Sequence, residues 1–236
     1  CFFAESFDEN LRRLVETGDV YFQEEGSQMV GEAVKLEKDD KFLDLCASPG
    51  SKTTLIYSRL GEEFSGLVVA GDLHWRRIKI LQENCIRQFC SNVGIVNYDA
   101  EKAIPFAENS FNAVLLDAPC SGTGTIRQNP EIRYSVRADD FRDLPAKQLN
   151  LLENASKIVK EGGKLIYSTC SLEMQENEGV IESFLANNSN FEKIAPHVPN
   201  RFLTEDGFSR TFPHRDKMDG FFIAEFKKLA VSAKLF

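Results

Sequence analysis

The chain has 236 residues, of which 42% are hydrophobic and 27% are charged, and its formal net charge is −8. A chain of this length can bury a sizeable core, and its ordinary share of charged residues excludes wholesale disorder. The negative charge argues against a protein that coats nucleic acid by neutralising phosphates, although it is compatible with a local basic groove. No apolar stretch approaches 18 residues, so we expect no membrane partner.

The cysteine pattern favours a reducing, intracellular setting. The six cysteines form no CxxC pair, and no secretory signal precedes them. The three histidines do not stand at ligand spacing beside the cysteines, so we expect no metal site. We expect a monomer, cytoplasmic in a bacterium and nuclear or nucleolar in a eukaryote. The chain begins with Cys1 rather than Met, which predicts that it is part of a longer protein.

Short apolar runs alternate with longer amphipathic segments along most of the chain. The apolar runs predict strands at Lys41–Cys46, Gly66–Asp72, Gly94–Tyr98, Phe111–Asp117, Lys164–Ser168 and Asp219–Lys227. The longer segments predict helices at Thr53–Leu60, His74–Cys90, Leu144–Val159 and Glu173–Asn187, the third of them closed by Glu161-Gly162-Gly163. This alternation predicts a doubly wound, Rossmann-like α/β fold, with helices on both faces of a mostly parallel sheet.

Acidic or reactive side chains end four of the predicted strands. They are Asp72, Asp99, Asp117 and Cys170. Since ligands of such folds bind outside the carboxyl ends of the strands, these residues predict a site at one edge of the sheet. Asp44 is not counted among these residues, because it lies within the first predicted strand rather than past its end.

The turn between the first strand and the first helix is a candidate ligand loop. Its residues are Cys46, Ala47, Ser48, Pro49, Gly50, Ser51 and Lys52. Backbone N–H groups at a helix N-terminus can approach a ligand closely. The spacing is neither that of a Walker loop nor that of the dinucleotide fingerprint, so an ordinary connection remains the alternative.

Two of the acidic residues match the polar groups of a nucleoside. Asp72 lies 22 residues beyond Gly50, where a carboxylate commonly hydrogen-bonds both ribose hydroxyls; the alternative is a cap for the following helix. Asp99 can accept a hydrogen bond from an adenine amino group, and its alternative is a turn residue.

Two cysteines stand at the ends of the fourth and fifth predicted strands. Cys120 closely follows Asp117, and Cys170 follows Ser168 and Thr169. A lone free cysteine is usually a small buried residue. These two strands are neighbours in the commonest doubly wound order, however, so both thiols and the carboxylate are expected over one pocket. This arrangement predicts chemistry rather than packing.

These motifs resemble those of the Sun (RsmB-like) family of RNA cytosine-5 methyltransferases, which use S-adenosylmethionine. The similar segments occur in family order at Gln23–Gln28, Asp44–Thr53, Asp117–Gly124, Ser168–Glu178 and Pro213–Lys227. Ser48 and Ser51 depart from the usual Ala and Gly, and Ser51 is compatible with the loop unless its φ must be positive. The resemblance implies a seven-stranded methyltransferase sheet and one catalytic domain over residues 1–236. Residues 1–34 would form a lead-in segment, with an RNA-binding domain upstream of the chain.

The resemblance also implies the roles of the candidate residues. S-adenosylmethionine would be bound by the 46–52 loop together with Asp72, Asp99 and Asp117. Cys170 would add as a thiolate to carbon 6 of cytosine, and Cys120 would assist release. Asp117 would hydrogen-bond the base, with Lys52 nearby. The N-terminus of the helix predicted near Glu173 would favour the Cys170 thiolate. Ribosomal RNA is the expected substrate, and transfer RNA is the alternative.

Two other classes of protein share parts of this pattern. A DNA cytosine-5 methyltransferase would use the cysteine of a Pro-Cys pair, as in Pro119-Cys120, but the Glu-Asn-Val motif of that class is absent. A non-catalytic RNA-binding ribosome-assembly factor would have no chemical reason to retain both thiols and Asp117. Candidate phosphate contacts of an RNA enzyme are Arg127, Arg133, Arg137, Arg210 and Arg215. The target base would have to be flipped or unstacked to reach the pocket.

Overall fold

The structure is a computed structural model that describes residues 7–230. The α-helices in this range are α1 (Glu9–Thr17), α2 (Glu25–Ala33), α3 (Ser51–Ser58), α4 (Trp75–Arg87), α5 (Ile132–Ser135), α6 (Asp140–Ile158), α7 (Glu178–Asn187) and α8 (Pro213–Asp216). The strands are β1 (Lys41–Asp44), β2 (Leu67–Asp72), β3 (Gly94–Asn97), β4 (Phe111–Asp117), β5 (Val159–Thr169), β6 (Phe191–Ile194), β7 (Ser209–Arg210) and β8 (Phe222–Lys228).

One sheet contains all of these strands, in the order β3-β2-β1-β4-β5-β8-β6, and the two-residue β7 pairs with β8 beside this path. Strands β1 to β5 all run parallel to one another. Strand β8 runs antiparallel to its three neighbours, β5, β6 and β7. The mostly parallel α/β fold is therefore confirmed, including a C-terminal strand. The path has the expected seven strands, and β7 adds an eighth that the sequence did not predict.

Helices cover both faces of the sheet because alternate residues of the central strands point to opposite sides. Val114 and Leu116 of β4 are fully buried in a core with residues of α6 and α7. Ala113 and Leu115 face the other core, which contains residues of α2, α3 and α4. Burial on both sides explains why the central strands read as continuous apolar runs.

Three predicted boundaries are wrong. Strand β1 ends at Asp44, two residues before the predicted end at Cys46, and Asp44 is its last residue, so it lies within the strand as predicted. The segment Glu161-Gly162-Gly163 does not close a helix, because the chain passes directly from α6 into β5 at Val159. Gly162 has a φ of +76°, and the register of β5 against β4 shifts near this point. The glycines therefore accommodate an irregularity within strand β5. Helix α7 begins at Glu178 rather than near Glu173.

The N-terminal segment adds two helices that hydrophobic periodicity did not predict. Helix α2 packs into the core through Met29 and Val30. Its first turn is capped by the Glu24 carboxylate, which accepts hydrogen bonds from the N–H groups of Gly26 and Ser27 at 2.6 and 3.2 Å. Within residues 7–230, no helix combines the length and the apolar character needed to cross a membrane.

Candidate active site

A cavity of about 260 Å³ lies at the carboxyl ends of the parallel strands. Seven of the predicted site residues line it: Cys46, Ser48, Asp72, Asp99, Asp117, Cys120 and Cys170. The other predicted residues of the loop, namely Ala47, Pro49, Gly50, Ser51 and Lys52, do not line this cavity. The strand order thus brings residues from five separate segments of the sequence into one site.

Several lining residues were not predicted. They include Leu73, His74, Arg77, Tyr98, Lys147 and Leu151. Leu73 and Tyr98 are direct neighbours of Asp72 and Asp99, so their position beside the strand ends was a signal that could have identified them. Lys147 and Leu151 come from α6, and no local pattern in the sequence indicates that this helix reaches the cavity.

The 46–52 loop is held in place by backbone hydrogen bonds. The N–H of Ala47 donates to the carbonyl of Gly71 at 2.8 Å, and that of Gly50 donates to the carbonyl of Ala47 at 2.7 Å. Gly50 has a φ of +103°, which a residue with a side chain adopts only at a cost. Ser51 begins α3 and is not among the residues with positive φ, so serine is compatible with this position.

Asp72 lines the cavity and also contacts the start of the following helix. Its carboxylate accepts hydrogen bonds from the N–H groups of Ser48 and His74 and from Nε of Arg77, each at 3.2 Å. It therefore supports the start of α4 while lining the cavity. Because a carboxylate has about four acceptor sites, Asp72 can receive one more hydrogen bond without rearrangement. A second requires movement of Arg77, whose side chain is half exposed.

We expect Asp72→Ala to weaken binding of S-adenosylmethionine roughly 10- to 100-fold, because a hydrogen bond to a charged group contributes about 1.5–3 kcal/mol. Asp72→Asn keeps one acceptor oxygen and should lose less affinity. Titration calorimetry on both variants, with circular dichroism to verify folding, measures the effect. Unchanged affinity in Asp72→Ala would exclude this residue from cofactor binding.

Asp99 lines the cavity and also serves as a turn residue. Its carboxylate accepts a hydrogen bond from the N–H of Glu101 at 3.1 Å and pairs with Lys102 at 3.0 Å. The hydrogen bond from Lys102 is the main reason that the pKa of Asp99 lies below its ordinary value. Asp99 is consequently a hydrogen-bond acceptor at neutral pH.

The two thiols lie together, as the order of β4 and β5 predicts. The Sγ atoms of Cys120 and Cys170 are 3.4 Å apart. The hydrogen bond with the Cys170 thiol, followed by burial, raises the pKa of Cys120 well above its ordinary value. Cys120 is thus protonated at neutral pH. The cysteines at 46, 85, 90, 120 and 170 are all free, and Cys1 lies outside the described residues.

Asp117 is fixed beside the thiols from two sides. Its Oδ1 accepts a hydrogen bond from Oγ of Ser168 at 2.7 Å, and its Oδ2 pairs with Nζ of Lys52 at 2.7 Å. Burial alone would lower the pKa of Lys52, but the charge of Asp117 and its hydrogen bond outweigh burial. The pKa of Lys52 therefore lies above its ordinary value. The Lys52 side chain is only 12% exposed, so it is an ion-pair partner rather than a solvated lysine.

Asp44 lies beneath this site as a buried carboxyl group. Its Oδ2 accepts a hydrogen bond from Oγ1 of Thr53 at 2.6 Å, whereas its Oδ1 has no hydrogen-bond partner among the described residues. Burial raises the pKa of Asp44 to about 7, with a smaller contribution from the nearby negative charge of Asp117.

The raised pKa of Asp44 predicts a pH-dependent stability. A carboxyl group that binds its proton more tightly when folded stabilises the fold fully below about pH 4, and this stabilisation is lost as the pH rises through about 7. We therefore expect Asp44→Asn to gain stability relative to the unmodified protein across this interval, by up to about 4 kcal/mol. Urea unfolding of both proteins at a series of pH values measures the difference, and a constant difference would contradict the assignment.

The helix expected to favour the Cys170 thiolate does not begin where it was predicted. Helix α7 starts at Glu178, eight residues after Cys170. The preceding segment folds back, since the amide of Asn177 donates to the carbonyl of Ser171 at 2.9 Å and accepts from Oγ1 of Thr169 at 2.6 Å. Side-chain hydrogen bonds therefore hold the residues on either side of Cys170, and Cys170 does not lie at a helix N-terminus.

The arginines proposed for RNA contact differ in their surroundings. Arg133 and Arg137 are exposed. Arg127 pairs with Asp219 at 3.2 Å. Arg210 is only 13% exposed and forms a salt bridge with Glu178 at 3.4 Å, so its role in packing is evident. Arg215 is exposed and pairs with Asp216 at 2.9 Å. Arg133 and Arg137 are therefore the two members of the group that form no salt bridge among the described residues.

Comparisons with known proteins agree with this fold, which is that of the Rossmann-like methyltransferases. The family of 16S rRNA methyltransferases RsmB/F matches residues 32–227. The chain belongs to this family of S-adenosylmethionine-dependent RNA methyltransferases, as the resemblance to the Sun family predicted.

Individual relatives support the same assignment. The probable ribosomal RNA small subunit methyltransferase B of Bacillus subtilis is 35% identical over 219 residues, which cover 90% of this chain and 48% of that protein. Ribosomal RNA small subunit methyltransferase F of Aeromonas salmonicida is 34% identical over 221 residues, covering 90% and 46%. The crystal structure of NSun6 from Pyrococcus horikoshii with SFG, an analogue of S-adenosylmethionine, matches with a TM-score of 0.83 and 28% identity, over 93% of this chain and 56% of that one. The chain spans about half the length of the curated relatives it matches.

Proposed function

We propose that this chain transfers the methyl group of S-adenosylmethionine to carbon 5 of a cytosine in ribosomal RNA. The observation that carries the proposal is the pair of thiols, 3.4 Å apart, in the cavity that also contains Asp117. Carbon 5 of cytosine is a poor nucleophile, and covalent addition of a thiolate at carbon 6 activates it. The names of the bacterial relatives support ribosomal RNA as the substrate.

The residues of the cavity fit S-adenosylmethionine. The carboxylates of Asp72 and Asp99 accept hydrogen bonds and so match ribose hydroxyls and an adenine amino group. Leu73 and Leu151 supply apolar walls for a base. Of the 46–52 loop, Cys46 and Ser48 line the cavity, and Asp117 and both thiols line it as well. When bound, S-adenosylmethionine supplies the electrophilic methyl group.

The thiols have separate tasks in the proposed mechanism. The Cys170 thiolate forms a bond to carbon 6, and the electron pair of the ring double bond shifts toward carbon 5, which becomes the nucleophile. Asp117 hydrogen-bonds the base and stabilises it during this addition, while Lys52 and Ser168 hold the carboxylate in place. After methylation, water takes the proton from carbon 5, the electrons of that bond restore the double bond, and the bond to Cys170 breaks, which returns Cys170 as a thiolate. Cys120 assists this release, because its sulfur contacts that of Cys170.

The proposal is tested by methyl transfer from labelled S-adenosylmethionine to 16S rRNA, transfer RNA and DNA, with the full-length protein that contains this chain. Nucleoside analysis is expected to find the label in 5-methylcytidine of ribosomal RNA. Label in transfer RNA alone would mean that the substrate is transfer RNA and not ribosomal RNA. Label in DNA would favour the DNA-methyltransferase alternative. Absence of transfer to any of them would favour a non-catalytic assembly factor. Four further expectations stay predictions: a single catalytic domain, an upstream RNA-binding domain, a monomeric state and an intracellular location.

A further inference from the structure

A buried carboxylate connects the segments that carry the two thiols. The side chain of Glu176 is fully buried. One of its oxygens accepts hydrogen bonds from the N–H of Ser121 at 2.9 Å and from Nε2 of Gln148 at 2.8 Å. The other accepts from Oγ of Ser171 at 2.6 Å and from Oγ of Ser121. Each oxygen therefore receives two hydrogen bonds, as suits a carboxylate held in an interior.

The partners of Glu176 are adjacent in sequence to the cysteines. Ser121 follows Cys120 directly, and Ser171 follows Cys170 directly. A single side chain thus fixes the residue after each thiol, although the two segments come from different strands. The same contacts explain why the chain before α7 is not helical, since Glu176 must point into the interior to make them.

We propose that Glu176 is a positioning residue for methyl transfer, whose carboxylate fixes the two thiol segments together and whose negative charge opposes ionisation of Cys120. This inference rests on the proposed function for its role in catalysis. The charge disfavours a thiolate at Cys120 and so leaves Cys170 as the attacking group, while the four hydrogen bonds set the separation of the two sulfur atoms.

The electrostatic surroundings of Cys120 support this assignment. The titratable and charged groups around Cys120 are Cys170, Glu176, Asp117 and Tyr167, together with Lys52, paired with Asp117, and Lys147, paired with Glu101. The hydrogen bond with Cys170 and burial are the main causes of the raised pKa of Cys120, and the charge of Glu176 adds to them.

Other contacts allow the fold to survive loss of Glu176. The N–H of Gly124 donates to the carbonyl of Cys170 at 2.9 Å, and the N–H of Leu172 donates to Oγ1 of Thr123 at 3.0 Å. These bonds join the same two segments without the carboxylate. We therefore expect variants of Glu176 to retain the fold while the thiols lose their fixed separation.

Two substitutions separate the effect of the negative charge of Glu176 from the effect of its side-chain length. Glu176→Gln keeps the length of the side chain and removes the charge, whereas Glu176→Asp keeps the charge and shortens the side chain. Glu225→Gln is the matched control, because Glu225 is also buried, pairs with Lys164 at 2.9 Å, and does not line the cavity. Circular dichroism establishes the temperature at which all of these proteins are folded, and Glu176→Asp is the milder variant if Glu176→Gln does not fold.

The first readout is alkylation of each thiol by iodoacetamide across a pH series, resolved by peptide mass spectrometry on the protein without RNA. In Glu176→Gln we expect Cys120 to react faster at a given pH, because loss of the negative charge lowers the pKa of its thiol. In Glu225→Gln we expect the Cys120 profile of the unmodified protein, and in Glu176→Asp, which keeps the negative charge, we expect a smaller increase in rate than in Glu176→Gln. A profile in Glu176→Gln that superimposes on that of the unmodified protein, or an equal shift in Glu225→Gln, would overturn the inference.

The second readout is methyl transfer. Because misplacement of a catalytic group by 1 Å can cost about 100-fold, we expect kcat to fall roughly 100-fold in both Glu176 variants, with unchanged KM values for RNA and S-adenosylmethionine. Glu225→Gln should keep the kcat of the unmodified protein, and an unchanged kcat in both Glu176 variants would contradict the positioning role. If the unmodified protein transfers no methyl group, the proposed function fails, while the alkylation result still decides whether Glu176 controls Cys120.

Discussion

Cys170→Ala is expected to abolish methyl transfer and to form no covalent adduct with RNA, whereas Cys120→Ala is expected to accumulate such an adduct. Without Cys170, no sulfur attacks carbon 6, so carbon 5 is not activated. Without Cys120, attack and methyl transfer still occur, but release stalls with RNA attached to Cys170. A denaturing gel of each variant, incubated with RNA and S-adenosylmethionine, shows the adduct as a band of reduced mobility.

Cys85→Ala provides the control for loss of a cysteine, because Cys85 is buried in the core with α4 and does not line the cavity. It should destabilise the protein modestly without trapping RNA. The same behaviour in Cys120→Ala and Cys170→Ala would mean that all three are packing residues. An adduct in Cys170→Ala but not in Cys120→Ala would mean that Cys120 is the attacking group and Cys170 assists release, as in the DNA-methyltransferase alternative.

Asp117→Asn is expected to reduce methyl transfer by about two to four orders of magnitude, the usual contribution of a group that manages protons in a transition state. The amide cannot stabilise the base as the carboxylate does, and it leaves the Lys52 ammonium without its 2.7 Å partner. The protein should also lose stability, by less than the roughly 3–5 kcal/mol seen for fully buried ion pairs, because Asp117 is 27% exposed. Single-turnover assays and urea unfolding measure the two effects.

Lys52→Met combined with Asp117→Asn separates these effects. The double variant has no unpaired buried charge, so we expect it to recover stability while methyl transfer remains low. Recovery of both properties would show that Asp117 acts only as a structural partner of Lys52. Normal activity in Asp117→Asn alone would remove the carboxylate from the mechanism.

The sequence predicted the fold and seven of the residues that line the cavity, because both depend on local patterns. Strands buried on both faces are continuous apolar runs, and the residue at the end of a parallel strand lies at the ligand edge. Asp72 and Asp117 were identified in this way. The meeting of Cys120 and Cys170 followed from the order of two neighbouring strands. The end of β1 was predicted two residues too late because the apolar run continues past the last paired residue of the strand.

The residues that the sequence did not reveal depend on contacts between distant segments. Lys147 reaches the cavity from α6, whose angle to the sheet is set by packing. Glu176 was assigned to a helix because its neighbours favour one, yet four hydrogen bonds to other segments draw it into the interior. The start of β5 was missed because Gly162 commonly ends a helix, whereas here it lies at an irregularity between paired strands.

The assignment of Cys170 as the attacking group is tested most directly by ribosomal RNA that contains 5-fluorocytidine. Fluorine replaces the proton that must leave carbon 5, so the unmodified protein should remain covalently attached after methyl transfer. Protease and nuclease digestion followed by mass spectrometry then identifies the attached residue. We predict a methylated fluorocytidine on the peptide that contains Cys170, formed only when S-adenosylmethionine is present. A nucleotide attached to Cys120, or methylation without any attachment to protein, would contradict the proposed mechanism.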